Sequence, residues 1–321
     1  MKNRKKWFLV SLVCVIAGIL IMAAGMLMGG KPGFYIDSSG IHTSRETAVI
    51  KPLRGKWREL EKFEELEIDV DYADIEIETS DRFAVKYYLS GRYQEPVCEV
   101  KNGKFIFREG NHSPIINFGF FESGISIAGE EPDYYVKVEI PRHHKLSSVM
   151  LHTESGDITA SQVHAEGLEI QNEYGNLDLS EFQGEKLAIN MESGDFMIET
   201  LKAGQADIRN EYGNFWIKDV EGNSLKAYQG SGNCLIDRMA VSDVEIQNEY
   251  GDVTLAVDGG VKSYDLDLNT EYGSIEIGNY IIGQEGYHDE QHYTSKADGE
   301  KKIKINCESG NIIVQSGTGH F

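Results

Sequence analysis

Two histidines four residues apart are the strongest candidates for metal chemistry in this sequence. His288 and His292 lie in the polar string HDEQH. A zinc protease motif would place glutamate directly after the first histidine as the general base, whereas this sequence has Asp289 there. We interpret the string as part of a polar surface loop, with a metal-binding or pH-sensitive loop as the alternative. The same interpretation and the same alternative apply to His143 and His144.

Acidic and amide side chains follow a series of evenly spaced glycines, and such a row is a candidate for calcium binding. The row comprises Asp157, Asn176, Asp195, Asn214 and Asp252. Calcium-binding β-rolls carry the nonapeptide GGxGxDxUx, which this sequence lacks. Gly-Asn and Gly-Asp pairs are also favoured at turns for positive φ angles alone. We therefore expect turn residues here, and calcium binding is the alternative.

No arrangement in the sequence is typical of an enzyme. A hydrolase elbow, a Walker loop and a distinct pair of carboxylates are all missing. Cys14, Cys98, Cys234 and Cys307 form no CxxC pair, so apolar thiols are expected rather than a disulfide framework. The sequence assigns no catalytic, cofactor-binding or metal-binding residue and predicts a non-enzyme. A carbohydrate-active enzyme on a β-helix is the least favoured alternative and has only fold analogy behind it.

A repeat of about 19 residues must position all of these side chains. The string LEIQNEYGNLDL at 168–179 returns almost unchanged as VEIQNEYGDVTL at 244–255. Its glycine recurs at five equal intervals and then at two longer ones, at Gly156, Gly175, Gly194, Gly213, Gly232, Gly251, Gly273 and Gly310. Alternating apolar and polar residues flank each glycine, so each repeat predicts two short strands. We expect an all-β, β-helix-like solenoid whose rungs stack about 4.8 Å apart.

The same alternation predicts which side chains form the core. Positions seven and five before the glycine are aliphatic, as in Leu168 and Ile170. Positions two and four after it are also aliphatic, as in Leu177 and Leu179. Both sets should form ladders inside the solenoid, while Glu169 and its equivalents face solvent.

A second period is superimposed on the first. The residue before the glycine alternates between serine and tyrosine, so this pattern repeats every two rungs over most of the array. A tyrosine on every rung would crowd its neighbours at about 4.8 Å, so packing explains the alternation. Exposed tyrosines are also common in binding surfaces. On this alternative the contact candidates are Tyr174, Tyr212, Tyr250 and Tyr272.

Three phenylalanines form a further contact candidate. Phe118, Phe120 and Phe121 lie in an insertion near 108–133, and a second insertion lies near 280–300. We expect the cluster to cap one end of the solenoid, because terminal rungs have open strand edges. A contact patch for a partner or for the membrane surface is the alternative.

The N-terminal segment predicts a membrane anchor. Four basic residues within 1–6 precede an uncharged apolar run at 7–28. As a helix, this run spans about 33 Å, close to a hydrocarbon core of about 30 Å. A cleaved signal peptide is the alternative, since Ala23, Ala24 and Gly25 are small. The positive-inside tendency predicts a single-pass protein of the cell membrane, with 1–6 in the cytoplasm and the C-terminal domain outside.

Beyond the anchor, a leader at 29–59 precedes a solenoid domain at 60–321. Residues 63–77 match an early rung in which Ala73 replaces the glycine. The pair Asn102-Gly103 predicts a type I′ turn in a β-hairpin.

The charge of this domain restricts its partners. Four of the 31 Lys and Arg residues precede residue 30, and all 52 Asp and Glu residues follow it, so the net charge beyond residue 30 is −25. Repulsion argues against nucleic acid, anionic lipid headgroups and anionic wall polymers as binding partners, and solubility is the simplest reason for the charge. We expect a protein partner in the membrane or envelope.

The segment VKVEIP at 136–141, followed by ESGDI at 154–158, resembles the bacterial "putative adhesin" family, a domain of unknown function. The resemblance covers roughly residues 60–316. It implies an extracytoplasmic β-solenoid on a membrane anchor, of a kind often associated with envelope-stress response systems, and it carries no catalytic residues. The expected function is a binding or scaffold module that is accessory to a cell-envelope stress or regulatory system. A surface adhesin for a host or matrix ligand is the alternative.

Overall fold

The structure is a computed structural model that describes residues 2–28, 33–37, 40–43, 49–50, 52–91, 94–111, 116–119, 126–127, 133–278, 280–282, 290–297 and 299–317. The chain forms two compact units. The first comprises Met1–Pro52, Ser90–Gln94 and Gly110–Pro132, and the second comprises Leu53–Leu89, Glu95–Glu109 and Asp133–Phe321.

The secondary structure consists of one N-terminal helix, one short 3-10 helix at Val261–Ser263 and a series of strands. Helix α1 spans Lys2–Leu27. The strands are β1 (Gly33–Asp37), β2 (Gly40–Thr43), β3 (Val49–Ile50), β4 (Leu53–Glu59), β5 (Glu65–Val70), β6 (Asp74–Ser80), β7 (Ala84–Leu89), β8 (Val97–Lys101), β9 (Lys104–Arg108), β10 (Ile116–Gly119), β11 (Ser126–Ile127), β12 (Tyr135–Pro141), β13 (Leu146–Thr153), β14 (Ile158–Tyr174), β15 (Leu177–Ser193), β16 (Phe196–Tyr212), β17 (Phe215–Ser231), β18 (Cys234–Tyr250), β19 (Val253–Val257), β20 (Asp265–Tyr272), β21 (Ile275–Ile277), β22 (Tyr280–Ile282), β23 (Gln291–Ser295), β24 (Lys302–Ser309) and β25 (Ile312–Ser316).

The first unit contains α1 and two small sheets. In one sheet β1 pairs antiparallel with β2 and β10, and in the other β3 pairs parallel with β11. Phe118 lies opposite Phe34 in the β1–β10 pair, while Phe120 and Phe121 lie outside the described residues. Within the described ranges, no helix combines the length and the mean hydropathy required of a membrane span.

The second unit is a solenoid of parallel rungs, which confirms the prediction of a mostly β, repetitive fold. Neighbouring rungs pair in register at an offset of one full repeat, as Ile170 does with Ile189. Both predicted ladders are confirmed, since Leu168, Ile170 and Leu177 are buried with their equivalents. The core is therefore a continuous column of aliphatic side chains along the stack.

The prediction of two short strands per rung is wrong. Strands β14 to β18 each run unbroken for 17 residues, from one turn to the next. Along β14 the interval between buried side chains changes from two to three and back, at Ile158, Ala160, Val163, Ala165, Leu168 and Ile170. Each interval of three marks a bend, because strict alternation holds only along a straight segment. Each rung therefore has three faces.

The middle face of the rung was not anticipated. Its buried residues lie seven and nine positions after the glycine, and they are Val163, Ala165, Phe182, Leu201, Ala203, Val220, Met239 and Val241. Residue size varies widely at these positions, and Gly184 and Gly222 also occupy them. The face therefore shows no repeated residue type in the sequence.

The rungs do not stack in the order of the chain. Strand β24 pairs with both β18 and β20, and β25 pairs with both β19 and β21. The rung of Gly310 thus lies between the rungs of Gly251 and Gly273. At the other end, the predicted early rung is confirmed, because β5 pairs with β13 and β6 with β14. In spatial order the turn residues are Ala73, Gly156, Gly175, Gly194, Gly213, Gly232, Gly251, Gly310 and Gly273.

Antiparallel strands cover both ends of this stack. At the first end β7 pairs with β12 and β4, and β8 pairs with β9. Asn102 and Gly103 join β8 to β9 with positive φ angles of 53° and 77°, as predicted for a type I′ turn. At the second end β23 pairs with β20, and β22 pairs with β21. The insertion near 280–300 therefore supplies edge-covering strands and is more than a surface loop.

Two constraints require glycine at the turns: the close approach of neighbouring backbones and the positive φ angle. A Cβ atom on Gly213 would lie 2.1 Å from the carbonyl oxygen of Gly194, and a Cβ atom on Gly194 would lie 2.0 Å from that of Gly175. The φ angle of Gly213 is +126°, which strongly favours glycine. The turn glycines thus lie directly over one another.

Buried polar side chains lie behind these turns, three positions before the glycine. Gln229 donates from Nε2 to the carbonyl oxygen of Gly213 at 2.6 Å, and Thr270 donates from Oγ1 to that of Gly310 at 2.8 Å. The buried set is Thr153, Asn172, Asn210, Gln229, Asn248 and Thr270. Their donors satisfy turn carbonyl groups that are closed off from water.

Aspartate in place of Ile170 or Ile246 should unfold the surrounding rungs, whereas Glu169→Ala and Glu245→Ala should be nearly neutral. Burying an unpaired carboxylate costs several kcal/mol or forces its protonation, while an isolated surface change usually stays within about 0.5 kcal/mol. Thermal melts by circular dichroism and hydrogen exchange compare the four variants. Equal stability of the isoleucine and glutamate variants would contradict the assignment of the faces.

Gly213→Ala should destabilise the solenoid by roughly 2 kcal/mol or more, through steric overlap and an unfavourable φ angle. Gly167→Ala is the matched control, because a Cβ atom there has no neighbour within 4 Å and the equivalent position of the next rung holds Lys186. Urea unfolding measures both variants. The explanation fails if the two variants lose the same stability.

Candidate functional site

The tyrosines and serines before the turn glycines form one unbroken row along an edge of the solenoid. Tyr250 lies beside Ser309, and Ser309 lies beside Tyr272, because the Gly310 rung is inserted between the other two. Tyr72 begins the row, since the Ala73 rung stacks on the Gly156 rung. The alternation is therefore complete in space: Tyr72, Ser155, Tyr174, Ser193, Tyr212, Ser231, Tyr250, Ser309 and Tyr272. We call this row the tyrosine ridge.

The tyrosine side chains of the ridge are exposed. Their exposed fractions lie between 54% and 65%. Successive tyrosines are two rungs apart, which corresponds to about 9.6 Å. Large apolar rings at a regular spacing on a surface are typical of a binding surface. The candidates Tyr174, Tyr212, Tyr250 and Tyr272 thus lie together, and Phe118 belongs to the other compact unit.

Tyr72 was missed as a member of the ridge. The string Asp71-Tyr72-Ala73-Asp74 matches the later Glu-Tyr-Gly-Asn strings, and this similarity was the available signal. The similarity that places the Ala73 rung therefore also places Tyr72 in the row of tyrosines.

A row of carboxylates accompanies the ridge, two positions before each turn residue. Its members are Asp71, Glu154, Glu173, Glu192, Glu211, Glu249, Glu308 and Glu271, with Gly230 as the one exception in the row. Arg209 pairs with Glu211 at 2.5 Å, whereas Glu173 and Glu192 have no ion pair within the described part of the chain. The ridge therefore presents exposed rings beside uncompensated negative charge.

Carboxylates are crowded near the first end of this row. Burial raises the pKa of Glu109, and the neighbouring charges of Asp71 and Glu154 raise it further. The Asp71 backbone N–H donates to Glu109 at 2.9 Å and acts in the opposite direction. Burial also raises the pKa of Asp74, with Asp157 among the charges that add to the effect. Both pKa directions reflect a site where further negative charge is unfavourable.

An open depression of about 490 Å³ lies between Tyr174 and Tyr212. Ser193 lies between the two tyrosines, and the remaining lining residues are Asn190, Glu192, Arg209 and Glu211. Two carboxylates against one guanidinium leave the lining with a net negative charge. The small serine makes room for a ligand group between two aromatic side chains.

One cation, one ring and two carboxylates already interact next to the ridge. The Arg209 guanidinium lies 4.2 Å from the centroid of the Tyr228 ring. The Tyr228 hydroxyl donates to Glu249 at 2.7 Å, and this hydrogen bond is the main reason that the pKa of Tyr228 rises to about 12. Arg209 also pairs with Glu211. The arrangement shows that this face accommodates a guanidinium between an aromatic ring and a carboxylate.

The Asp and Asn residues after the turn glycines form a hydrogen-bonded ladder. Asp157 Oδ1 accepts from the backbone N–H of Asn176 at 2.7 Å, and Asp195 Oδ1 accepts from that of Asn214 at the same distance. The ladder continues through Asn233, Asp252 and Asn311. These oxygens thus hold neighbouring rungs together. Among the described residues, no group of three or more His, Cys, Asp or Glu side chains is arranged to hold a metal ion.

The histidines make local contacts. His292 Nε2 lies 2.9 Å from Asp267 Oδ1, while His288 and Asp289 lie outside the described residues. His144 Nε2 lies 2.9 Å from the carbonyl oxygen of Phe63. His143 has a φ angle of +66° in the tight turn before β13. Their observed role is in turns and strand pairing.

Cys14, Cys98, Cys234 and Cys307 are all free thiols. Cys234 and Cys307 are buried, and burial raises the pKa of both thiols. Cys98 is half-buried beside Arg58 Nη2, at 3.0 Å from its sulfur. A raised pKa disfavours the thiolate, so Cys234 and Cys307 pack as small apolar side chains.

A larger hollow of about 690 Å³ lies beside the Gly273 rung. Tyr264, Tyr293, Lys262 and Lys296 are among its lining residues. Gly278 and Tyr280 also line it, and residue 279 lies outside the described residues. The tyrosine ridge, whose rungs are all described, is the better defined candidate site.

Several solved structures are similar to this chain at low identity. A "putative adhesin" from Bacteroides fragilis NCTC 9343 is 13% identical, with a TM-score of 0.46, and the match covers 83% of this chain and 98% of that one. A second "putative adhesin", from Parabacteroides distasonis ATCC 8503, is 12% identical, with a TM-score of 0.47 and coverages of 82% and 97%. A "putative lipid binding protein" from the same organism is 17% identical, with a TM-score of 0.43 and coverages of 82% and 97%.

A search of curated protein sequences gives no match. The family model described as Toastrack DUF4097 matches residues 63–315, which is well over half of the chain and includes every tyrosine of the ridge. The chain therefore belongs to the Toastrack DUF4097 family, a domain of unknown function, as the resemblance in its sequence implied.

Proposed function

We propose that this protein is a membrane-attached, extracytoplasmic binding module whose contact surface is the tyrosine ridge. The observation that carries the proposal is the regular row of exposed tyrosines, from Tyr72 to Tyr272, on a rigid stack of rungs. Tyrosine is enriched where one protein binds another, because its ring supplies apolar contact area and its hydroxyl a hydrogen bond. A repeated row of such contacts suits an extended ligand.

The N-terminal segment supports the proposed membrane attachment. Four basic residues precede the uncharged run at 7–28, and most of this run lies in α1. By the positive-inside tendency the solenoid is then outside the cytoplasm. An acidic domain in that place is repelled by anionic headgroups.

The proposed role is accessory to a cell-envelope stress or regulatory system, with a protein of the membrane or envelope as the partner. The family resemblance in the sequence supports this role. A surface adhesin for a host or matrix ligand is the second candidate. The repetition of the same exposed side chain, tyrosine, along the ridge favours it. The identity of the molecule that contacts the ridge distinguishes the two.

The proposal assigns binding without chemistry to this surface. Tyr228, the tyrosine with the largest pKa change beside the ridge, is stabilised in its protonated form by Glu249. A nucleophilic tyrosine requires the opposite direction of pKa change. This direction makes Tyr228 a poor nucleophile, and the proposal of a non-enzyme rests on the catalytic motifs that the sequence lacks.

Protease treatment of intact, wall-stripped cells tests the topology. We expect an external protease to degrade residues beyond 30, while a tag placed before Lys2 stays protected until the membrane is permeabilised. Complete protection of the solenoid would reverse the orientation. Release of a soluble mature form without protease would show cleavage of the N-terminal segment.

Site-specific photo-cross-linking tests the contact surface. A photoreactive residue replaces Ser193 or Ser231 on the ridge, and the matched control replaces Thr159 or Asp178, which are exposed on another face. We expect a discrete adduct in cells from the ridge positions and at least a fivefold weaker adduct when Tyr174 and Tyr212 are also changed to alanine. Equal adducts from the ridge and the control face would overturn the ridge as the contact surface.

A further inference from the structure

We propose that the tyrosine ridge binds a basic peptide segment in the polyproline II conformation, with arginine or lysine at every third residue. This inference rests on the proposed function, since it names the ligand class of the same surface. Three properties of the ridge lead to it: the spacing of the rings, the charge beside them and the room between them.

The spacing of the rings selects the conformation of the ligand. Tyrosines recur every two rungs, or about 9.6 Å. A polyproline II helix rises about 3.1 Å per residue and repeats every three residues, so its equivalent side chains are about 9.3 Å apart. In an extended β-strand, side chains on one face recur every two residues, or about 6.8 Å. In an α-helix the nearest repeat is seven residues, or about 10.5 Å.

The length of the ridge makes these differences decisive. From Tyr72 to Tyr272 there are eight rung steps, or four tyrosine intervals, which correspond to about 38 Å. Over four intervals a polyproline II ligand drifts from the tyrosines by about 1 Å, whereas an α-helix drifts by about 4 Å. A β-strand loses register within the first interval. Only the polyproline II repeat stays in register along the whole ridge.

The charge beside the rings selects the side chains of the ligand. Glu192 lines the depression at Ser193, and Glu173 directly precedes the lining residue Tyr174. Neither carboxylate has an ion pair within the described residues. A guanidinium between two tyrosines would contact a ring face and reach these carboxylates at the same time. The contact of Arg209 with Tyr228 and Glu211 is the same combination within the protein itself. Arginine is the cation most often found over aromatic faces.

The same charge excludes other extended polymers. Phosphate-bearing polymers would bring negative charge to a row of carboxylates and would be repelled. A neutral glycan is compatible with exposed rings, but it would leave Glu173 and Glu192 without a countercharge. The repeating cation satisfies both features of the ridge. The neutral glycan is therefore an outcome of the test below and not the proposal.

The test uses the full chain in detergent micelles and fluorescently labelled peptides. The probe is a peptide of five Arg-Pro-Pro repeats, whose length of about 46 Å covers the ridge. One control peptide has the same composition with its arginines in two clusters, and a second has glutamate in place of arginine. Labelled chitohexaose represents a neutral glycan. Fluorescence anisotropy measures binding at low and at physiological salt.

We expect the regularly spaced peptide to bind at least tenfold more tightly than the clustered peptide, with no binding of the acidic one. Tyr174→Ala, Tyr212→Ala and Tyr250→Ala together should weaken binding at least tenfold, while the three Tyr→Phe changes should retain it, because phenylalanine keeps the ring face. Glu173→Gln with Glu192→Gln should weaken binding and reduce its salt dependence. Tyr280→Ala, at an exposed tyrosine away from the ridge, should have no effect.

The outcomes separate this inference from the proposed function. Equal affinity for the regular and clustered peptides would overturn the spacing argument. Binding of chitohexaose that depends on the ridge tyrosines, without binding of the basic peptide, would overturn the ligand class and leave the ridge as a contact surface. Absence of ridge adducts in the cross-linking experiment would overturn both. Unchanged melting temperatures, measured by circular dichroism, would show that the alanine variants are folded.

Discussion

The structure depends on the close approach of turn backbones from one rung to the next. At Gly194, Gly213 and Gly232 the space above the turn is filled by the preceding carbonyl group, so no side chain fits. This contact fixes the register of neighbouring rungs to one full repeat and opposes any slip between them. All rows of the solenoid follow from it: the aliphatic ladders inside, the Asp and Asn ladder outside and the tyrosine ridge at the edge.

Two hydrogen-bonded ladders reinforce the turns from opposite sides. Inside, residues such as Asn172 and Gln229 donate to turn carbonyl oxygens. Outside, residues such as Asp157 and Asp195 accept backbone N–H groups from the next rung. Each turn is thus hydrogen-bonded to the neighbouring rung on both its inner and its outer side. Loops are ordinarily the most variable parts of a protein, and these two ladders hold the turns in place. The tyrosines are attached directly to this rigid segment.

The sequence was sufficient for the parts of the fold that repeat in residue type. The turn glycines and the ladders of Leu168 and Leu177 were visible because each position has one chemical character on nearly every rung. The middle face could not be predicted from the sequence. Its positions, such as Phe182 and Gly184, differ in side-chain size, and only their combined volume fills the core. The order of the last rungs could not be read either, because pairing between positions far apart in the chain, as between Val244 and Ile303, leaves no local signal. Four of the five ridge tyrosines were identified from the sequence, without Tyr72, but the complete alternation of the row depends on that order of rungs.

The serine–tyrosine alternation is related to the position of the inserted Gly310 rung. If the rungs stacked in the order of synthesis, Tyr272 would lie directly against Tyr250, and two large rings would compete for the space of one rung. With Ser309 between them, each ring has a small neighbour on that side. During translation the Gly273 rung emerges before the segment that must separate it from the Gly251 rung. The serine–tyrosine alternation therefore matches the observed order of the last rungs and not the order of the chain, because only the observed order separates Tyr250 from Tyr272.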